Sequence, residues 1–154
     1  DRYLMTRAEL ERKIAVLLGG RAAEMPVLGE LSTGAADDIA KATDIAREMV
    51  TRYGMDAGLG HMAYDAPRSQ AAEFPLAWSG NAQTLSEDTL RRVDAAVAAL
   101  VAAGFETATK LLTAHRAVLE RGAQALLEHE TLDEAALREL TADVRETAQR
   151  PTTL

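Results

Sequence analysis

Two adjacent acidic residues, Asp37 and Asp38, differ in the chemistry that their positions allow. The stretch from Ser32 to Tyr53 has the spacing of an amphipathic helix, in which successive side chains point about 100° apart. Asp37 therefore falls on the polar face, whereas Asp38 falls at the N-terminal end of an apolar stripe that contains Ala42, Ile45, Ala46 and Met49. A carboxylate on a buried stripe needs a hydrogen-bond donor, a cation or a metal ion to offset its desolvation. Asp38 is therefore the first candidate for a functional carboxylate; the alternative is that it only favours the helix N-terminus through the helix dipole.

The chain around Asp38 is predicted to be helical. Alanine is abundant and aromatic residues make up only 4% of the chain, which favours helices over a sheet. Apolar periodicity and capping signals predict an all-α bundle of about five helices. The first helix is predicted to open at Thr6, which forms a capping box with Glu9, and to continue through the Gly19-Gly20 pair, interpreted as a place of close helix contact.

Irregular segments are predicted at two places. A short connection from Pro26 to Gly34 leads to the second helix. A long loop from Met55 to Gln83 lacks helical periodicity, and its apolar residues predict that part of it packs or pairs as an extended edge. After this loop, Ser86 is predicted to cap a long third helix that breaks near Thr113, and Asp133 to cap the fifth helix.

Composition excludes several classes of protein. The net charge of −7, without a basic cluster, argues against nucleic acid as a partner. The chain has no cysteine, which excludes disulfides and thiolate chemistry. No apolar run approaches the roughly 20 residues of a membrane span, and no signal peptide is expected. A length of 154 residues fits one domain, so we predict a single helical domain over residues 1–150 and a disordered tail at 151–154.

Four sequence motifs point to one protein family. They are LLGGRAAE at 17–24, STGAADDIAKATDIAREMV at 32–50, RYGM at 52–55 and HETLDEAALREL at 129–140. In these motifs the chain resembles the peptidase domain of FtsH-type proteases, which are membrane-anchored, ATP-dependent AAA+ zinc metalloproteases. The resemblance covers nearly the whole chain and is weakest between Asp56 and Asn81.

The resemblance implies that this chain supplies one ligand of a zinc site. In the family, zinc is held by two histidines of an H-E-x-x-H helix and by the last aspartate of the S-T-G-A-x-x-D motif, which is Asp38 here. The glutamate between those histidines is the general base that acts with zinc-polarised water. Glu24, which follows the G-R-x-A string, resembles the family carboxylate that orients a ligating histidine. The alternatives for Glu24 are a surface charge or a partner for Arg21.

The family resemblance also implies a cellular setting. Substrates would be unfolded or membrane-bound polypeptides, threaded by a ring whose AAA+ domain, outside this chain, uses ATP. The parent would form a homo-oligomer, a hexamer in the family, and would meet the membrane only through N-terminal segments. This part would then be a soluble domain on the cytoplasmic side of the membrane in a bacterial parent.

The chain departs from the family in its histidines. None of His61, His115 and His129 has a second histidine four residues away, and no H-E-x-x-H string is present, so no catalytic residue is assigned to this chain. Catalytic zinc needs three protein ligands and an open position, so no bound zinc is expected on this chain by itself. His61 is interpreted as a solvated loop residue, with the alternative that it lies near the substrate-side edge. His115 and His129 are interpreted as helix-end residues favoured by the helix dipole.

Two functions from different classes follow from these observations. The first is the C-terminal helical part of an ATP-dependent zinc metalloendopeptidase, which supplies the third zinc ligand and the helical scaffold. The alternative is a non-catalytic oligomerisation or interaction module derived from the same family. The coding sequence immediately upstream of Asp1 distinguishes them, because only the enzyme requires an H-E-x-x-H string there.

Overall fold

A computed structural model of the chain describes residues 4–64 and 85–149, with side chains as far as residue 145. The described residues form seven α-helices and contain no β-strand. These helices are α1 (Arg7–Leu17), α2 (Gly19–Leu28), α3 (Ala36–Thr51), α4 (Glu87–Ala114), α5 (Arg116–His129), α6 (Glu134–Leu140) and α7 (Ala142–Gln149). The predicted all-α class is confirmed. The five predicted helices correspond to seven because the first and the fifth are each divided in two.

The break in the first predicted helix lies at Leu18. Helix α1 opens with the predicted capping box, in which the Thr6 hydroxyl accepts from Glu9 N and the Glu9 carboxylate accepts from Thr6 N. The interpretation of Gly19-Gly20 as a close helix contact was wrong, because a Cβ added at either glycine would meet no atom of the described residues within 4 Å. The pair instead starts α2, at a helix boundary that suits the low helix propensity of glycine.

Close helix contact occurs at Gly104, in the C-terminal half of α4. A Cβ added at Gly104 would lie 2.6 Å from Cγ2 of Ile14 on α1 and 3.4 Å from the backbone nitrogen of Ala15. Ile14 is fully buried, and its Cγ2 is fixed by a β-branched side chain that has little rotamer freedom in a helix. The absence of a side chain at Gly104 is therefore what allows α4 to approach α1.

Helix α2 continues beyond the predicted start of the connection at Pro26. It ends at Leu28, and Gly29 adopts a left-handed conformation (φ 75°) in which its N–H donates to the carbonyls of Glu24 and Met25. This is the helix stop that glycine favours. Only two residues of α2 follow Pro26, so the missing N–H of the proline costs one hydrogen bond near the helix end.

The chain divides into two compact units, residues 1–108 and residues 109–154. In the first unit, the apolar face of α3 packs on α1. Its core consists of Leu10, Ile14, Leu18, Ala42, Ala46, Met49, Val50, Leu59, Val93 and Val97. The second unit contains an apolar groove of about 380 Å³, which α5, α6 and α7 help to line. The single domain expected over residues 1–150 stays a prediction, and the tail at 151–154 lies outside the described residues.

The start of the long loop is irregular, as predicted, and is tied to the helices of the first unit. Residues 55–64 contain no helix or strand. The Tyr64 N–H donates to the Thr51 carbonyl over 2.7 Å, and the Arg7 guanidinium donates to the Met55 carbonyl over 2.8 Å. The rest of the predicted loop, with Phe74, Leu76 and Trp78, lies outside the described residues.

The later capping predictions are confirmed. The Ser86 hydroxyl accepts from Thr89 N over 3.1 Å at the start of α4, and the Asp133 carboxylate accepts from Ala136 N over 2.8 Å at the start of α6. Helix α4 ends at Ala114, next to the predicted break at Thr113.

In the described part of the chain, α4 is the one helix that is long and apolar enough to cross a membrane, by length and composition alone. Its most apolar 18 residues have a mean hydropathy of 1.4, which is high enough for a membrane span although no apolar run in the sequence approaches 20 residues. Core helices can meet the same two criteria, although only 17% of this 18-residue stretch of α4 is buried.

Candidate functional site

The candidate site lies at the N-terminus of α3, where a short turn leads into the helix. The Gly34 N–H donates to the Ser32 hydroxyl over 3.1 Å, and the Ala36 N–H donates to the Thr33 carbonyl over 3.2 Å. The N-cap residue is Ala35, which makes no side-chain capping bond. The start of α3 is therefore fixed by the turn that precedes it and not by the Ser, Thr, Asp or Asn that usually caps a helix.

Asp37 and Asp38 both lie in the first turn of α3 and differ in exposure as the helical phase predicts. Asp37 is exposed, whereas Asp38 is half-buried at the head of the face on which Ala42, Ala46 and Met49 are fully buried. Two carboxylates in the first turn are favoured by the helix dipole. The dipole does not account for the burial of one of them, and that difference is what distinguishes Asp38 as a candidate ligand.

Glu24, on α2, is buried and fully engaged in hydrogen bonds. One carboxylate oxygen (Oε1) accepts from the Ser32 hydroxyl over 2.6 Å. The other (Oε2) accepts from the Ser32 N–H over 3.2 Å and from the Arg21 guanidinium over 2.9 Å. Only 10% of the Glu24 side chain is exposed, so the carboxylate is held between α2 and the turn that begins α3. The surface-charge alternative is therefore wrong, and the partnership with Arg21 is present.

The same contacts keep Glu24 ionised. The hydrogen bonds from the Ser32 hydroxyl and N–H, with a contribution from the charge of Arg21, lower the pKa of Glu24 below its ordinary value of 4.5. Burial acts in the opposite direction and is outweighed. The carboxylate is thus a stable anion at neutral pH.

The three histidines lie in separate elements. His61 is exposed in the segment after α3, His115 is half-buried between α4 and α5, and His129 is exposed as the last residue of α5. Within residues 4–64 and 85–149, no three His, Cys, Asp or Glu side chains are grouped so that they could hold a metal ion. Asp38 is therefore not a member of such a group among the described residues.

A comparison with protein families decides what kind of domain carries this site. The family model of peptidase family M41 matches residues 1–140, a span that includes Glu24, the Ser32–Ala36 turn and Asp38. This chain belongs to peptidase family M41. The match covers most of the chain, and it confirms the family resemblance seen in the sequence motifs.

Individual relatives of this M41 chain carry consistent names. It is 52% identical to the ATP-dependent zinc metalloprotease FtsH of Methylibium petroleiphilum, in an alignment that covers 98% of this chain and 24% of that protein. It is 48% identical to the ATP-dependent zinc metalloprotease FtsH 1 of Symbiobacterium thermophilum, over 92% of this chain and 22% of that protein. It is 44% identical to the ATP-dependent zinc metalloprotease FtsH 2 of Bdellovibrio bacteriovorus, over 94% of this chain and 23% of that protein. The M41 chain therefore spans roughly a quarter of the length of these relatives.

Sequence reasoning missed the part that Ser32 plays in this M41 site. Ser32 was recognised only as the first residue of a motif, whereas its hydroxyl and N–H both bind Glu24, eight residues earlier. The signal was available: a serine two residues before a glycine often uses its hydroxyl to close a turn. Its second partner could not be found in this way, because the bend after Gly29 brings Glu24 and Ser32 together.

The lowered pKa of Glu24 predicts how stability depends on pH. A carboxylate whose pKa is lower in the folded than in the unfolded state contributes stability above its unfolded pKa and loses it as pH falls through the folded pKa. For Glu24 this window begins near its ordinary value of 4.5 and extends below it. In urea unfolding of the 154-residue chain between pH 3 and pH 7, the free energy of unfolding should fall less steeply with decreasing pH for Glu24→Gln than for the wild type. An equal dependence of the unfolding free energy on pH in Glu24→Gln and the wild type would contradict the prediction.

Proposed function

We propose that this chain is the C-terminal helical part of the peptidase domain of an ATP-dependent zinc metalloendopeptidase. In this proposal Asp38 is one zinc ligand, and Glu24 belongs to the surrounding shell that orients a ligating histidine. The single observation that carries the proposal is the position of Asp38: it is half-buried in the first turn of α3, within the M41 match, while Asp37 beside it is exposed.

The names of the relatives support the choice of metal and reaction. Each of the three proteins compared above is named an ATP-dependent zinc metalloprotease. A carboxylate oxygen is a suitable zinc ligand, at about 2.0–2.2 Å from the metal. Polypeptide substrates, a homo-hexameric ring, and a position on the cytoplasmic side of a bacterial membrane belong to the proposal through the family.

The described residues do not by themselves complete a zinc site. A catalytic zinc ion takes three protein ligands, and Asp38 supplies one. Residues 4–64 and 85–149 contain no group of three or more His, Cys, Asp or Glu side chains that could hold a metal ion. The part of Asp38 is therefore to complete a site whose histidines, in the parent, come from an H-E-x-x-H helix.

The zinc content of this chain tests that division of ligands. The purified 154-residue chain should retain less than about 0.1 zinc per molecule after dialysis and should not cleave casein, because one carboxylate cannot hold the ion without histidines. Metal analysis by mass spectrometry checks this. About one tightly held zinc per chain would contradict the prediction and show that the chain carries ligands other than those proposed here.

The second candidate is a non-catalytic oligomerisation or interaction module derived from the same family. It requires only the helices that this chain forms, without an H-E-x-x-H string. The coding sequence upstream of Asp1 separates the two candidates: an H-E-x-x-H string there supports the peptidase, and a start codon close to Asp1 supports the module.

A further inference from the structure

We infer that Ser32 is a positioning residue for the carboxylate of Asp38. It links Glu24, on α2, to the turn that starts α3, and so fixes the first turn of that helix. The inference rests on the proposed role of Asp38 as a zinc ligand and assigns a role to a residue that makes no contact with the metal in that proposal.

The hydroxyl of Ser32 is used in both of its capacities. It donates its one proton to Glu24 Oε1 over 2.6 Å and accepts from the Gly34 N–H over 3.1 Å. The Ser32 N–H adds a bond to Glu24 Oε2 over 3.2 Å. Two hydrogen bonds to the Glu24 carboxylate fix both the position and the orientation of Ser32. Because the Gly34 N–H donates to the Ser32 hydroxyl, the backbone of the turn is held relative to Glu24 as well.

The other end of the link is rigid because Glu24 is anchored within α2. Its carboxylate is 10% exposed and pairs with Arg21 one helical turn earlier over 2.9 Å, and the Arg21 side chain is itself 19% exposed. An ion pair shielded from water in this way, with hydrogen bonds to both carboxylate oxygens, holds its geometry better than an exposed one. Ser32 is therefore tied to a fixed point.

The turn depends on this link because α3 has no side-chain cap. Ala35 at the N-cap cannot accept a hydrogen bond through its side chain, so the approach to the helix is held by Ser32 and by the bond from Ala36 N to the Thr33 carbonyl. Gly34 fits closely, since a Cβ at that position would lie 3.3 Å from the Ser32 hydroxyl. Asp38 lies in the first turn of α3, directly after the Ser32–Ala36 turn. The position of its carboxylate therefore depends on the geometry of the Ser32–Ala36 turn.

Removal of the Ser32 hydroxyl should loosen the zinc site without removing a ligand. In the complete protease, Ser32→Ala should lose zinc to a chelator about tenfold faster than the wild type and should show a lower kcat at nearly unchanged KM. The reason is that substitution of a residue that orients a metal ligand lowers metal affinity or activity by about 10–100-fold. Ser32→Thr, which keeps the hydroxyl, should restore both values to within about threefold. Thr33→Ala, in the same exposed turn, should resemble the wild type.

A second measurement isolates the link from the metal. In the 154-residue chain, Ser32→Ala should accelerate hydrogen exchange at the Gly34 amide by about tenfold, since that amide loses its acceptor, while Thr33→Ala should leave it nearly unchanged. Unchanged exchange in Ser32→Ala, or zinc loss equal to that of Thr33→Ala, would overturn the inference. If Asp38→Asn leaves zinc binding unaffected, the proposed ligand is wrong and the inference falls with it; if only Ser32→Ala is without effect, the inference alone fails.

Discussion

Asparagine in place of Asp38 is expected to abolish proteolysis by the complete protease and to weaken its zinc binding, while ATP hydrolysis stays largely intact. The amide keeps the shape of the side chain and loses the negative charge that matches the metal. The loss in zinc affinity should exceed the roughly 10–100-fold that follows when a residue that only orients a ligand is removed, because here a direct ligand is lost. Casein degradation, ATPase rate and zinc content, measured on one preparation, check the three parts of this result.

Asp37→Asn provides the matched control. It removes the same charge from the same helical turn, so both variants lose a similar interaction with the helix dipole, worth about 0.3–1 kcal/mol. The exposed position of Asp37 predicts nearly wild-type proteolysis and zinc content for this variant. Equal proteolysis and equal zinc content in the two variants would contradict the assignment of Asp38 as a ligand. The helix dipole would then explain why both aspartates lie at the N-terminus of α3.

Alanine in place of Gly104 is expected to destabilise the 154-residue chain by about 1–2 kcal/mol. The added methyl would lie 2.6 Å from Ile14 Cγ2, inside van der Waals contact, and overpacking of this kind costs about 1–3 kcal/mol. The better helix propensity of alanine returns up to about 1 kcal/mol. The free energy of unfolding in urea measures the balance.

Two further variants separate crowding from propensity. Gly122→Ala lies inside α5, where an added Cβ would meet no atom of the described part of the chain within 4 Å, so it should stabilise by about 0.5–1 kcal/mol. Ile14→Ala alone should cost about 2–5 kcal/mol, but it removes the atom that clashes with a methyl at position 104. In that background Gly104→Ala should no longer destabilise, a coupling that a double-mutant cycle detects. Independent effects of the two substitutions would contradict the close contact.

Much of the fold follows from interactions within one helical turn, and the sequence predicts those well. The caps at Thr6, Ser86 and Asp133 each join residues three positions apart, so their geometry depends on the local chain alone. The contrast between Asp37 and Asp38 follows in the same way from the 3.6-residue period of an amphipathic helix.

Predictions failed where a local signal had two meanings. The glycine pair at 19–20 is compatible with a close contact or with a helix boundary, and glycine alone does not say which, because both use the missing Cβ. Pro26 is compatible with a connection or with the last turn of a helix, and the actual stop was the left-handed Gly29 three residues later.

The helical class, the M41 motifs and the helical phase that turns Asp38 inward can be predicted from the amino-acid sequence. The contact of Gly104 with Ile14 and the link from Ser32 to Glu24 are seen only in the folded chain. These two groups of features differ in the range of the interactions that produce them. Caps and helical phase are set by neighbours in the chain, whereas these two contacts exist only after separate helices have packed and the chain has turned at Gly29.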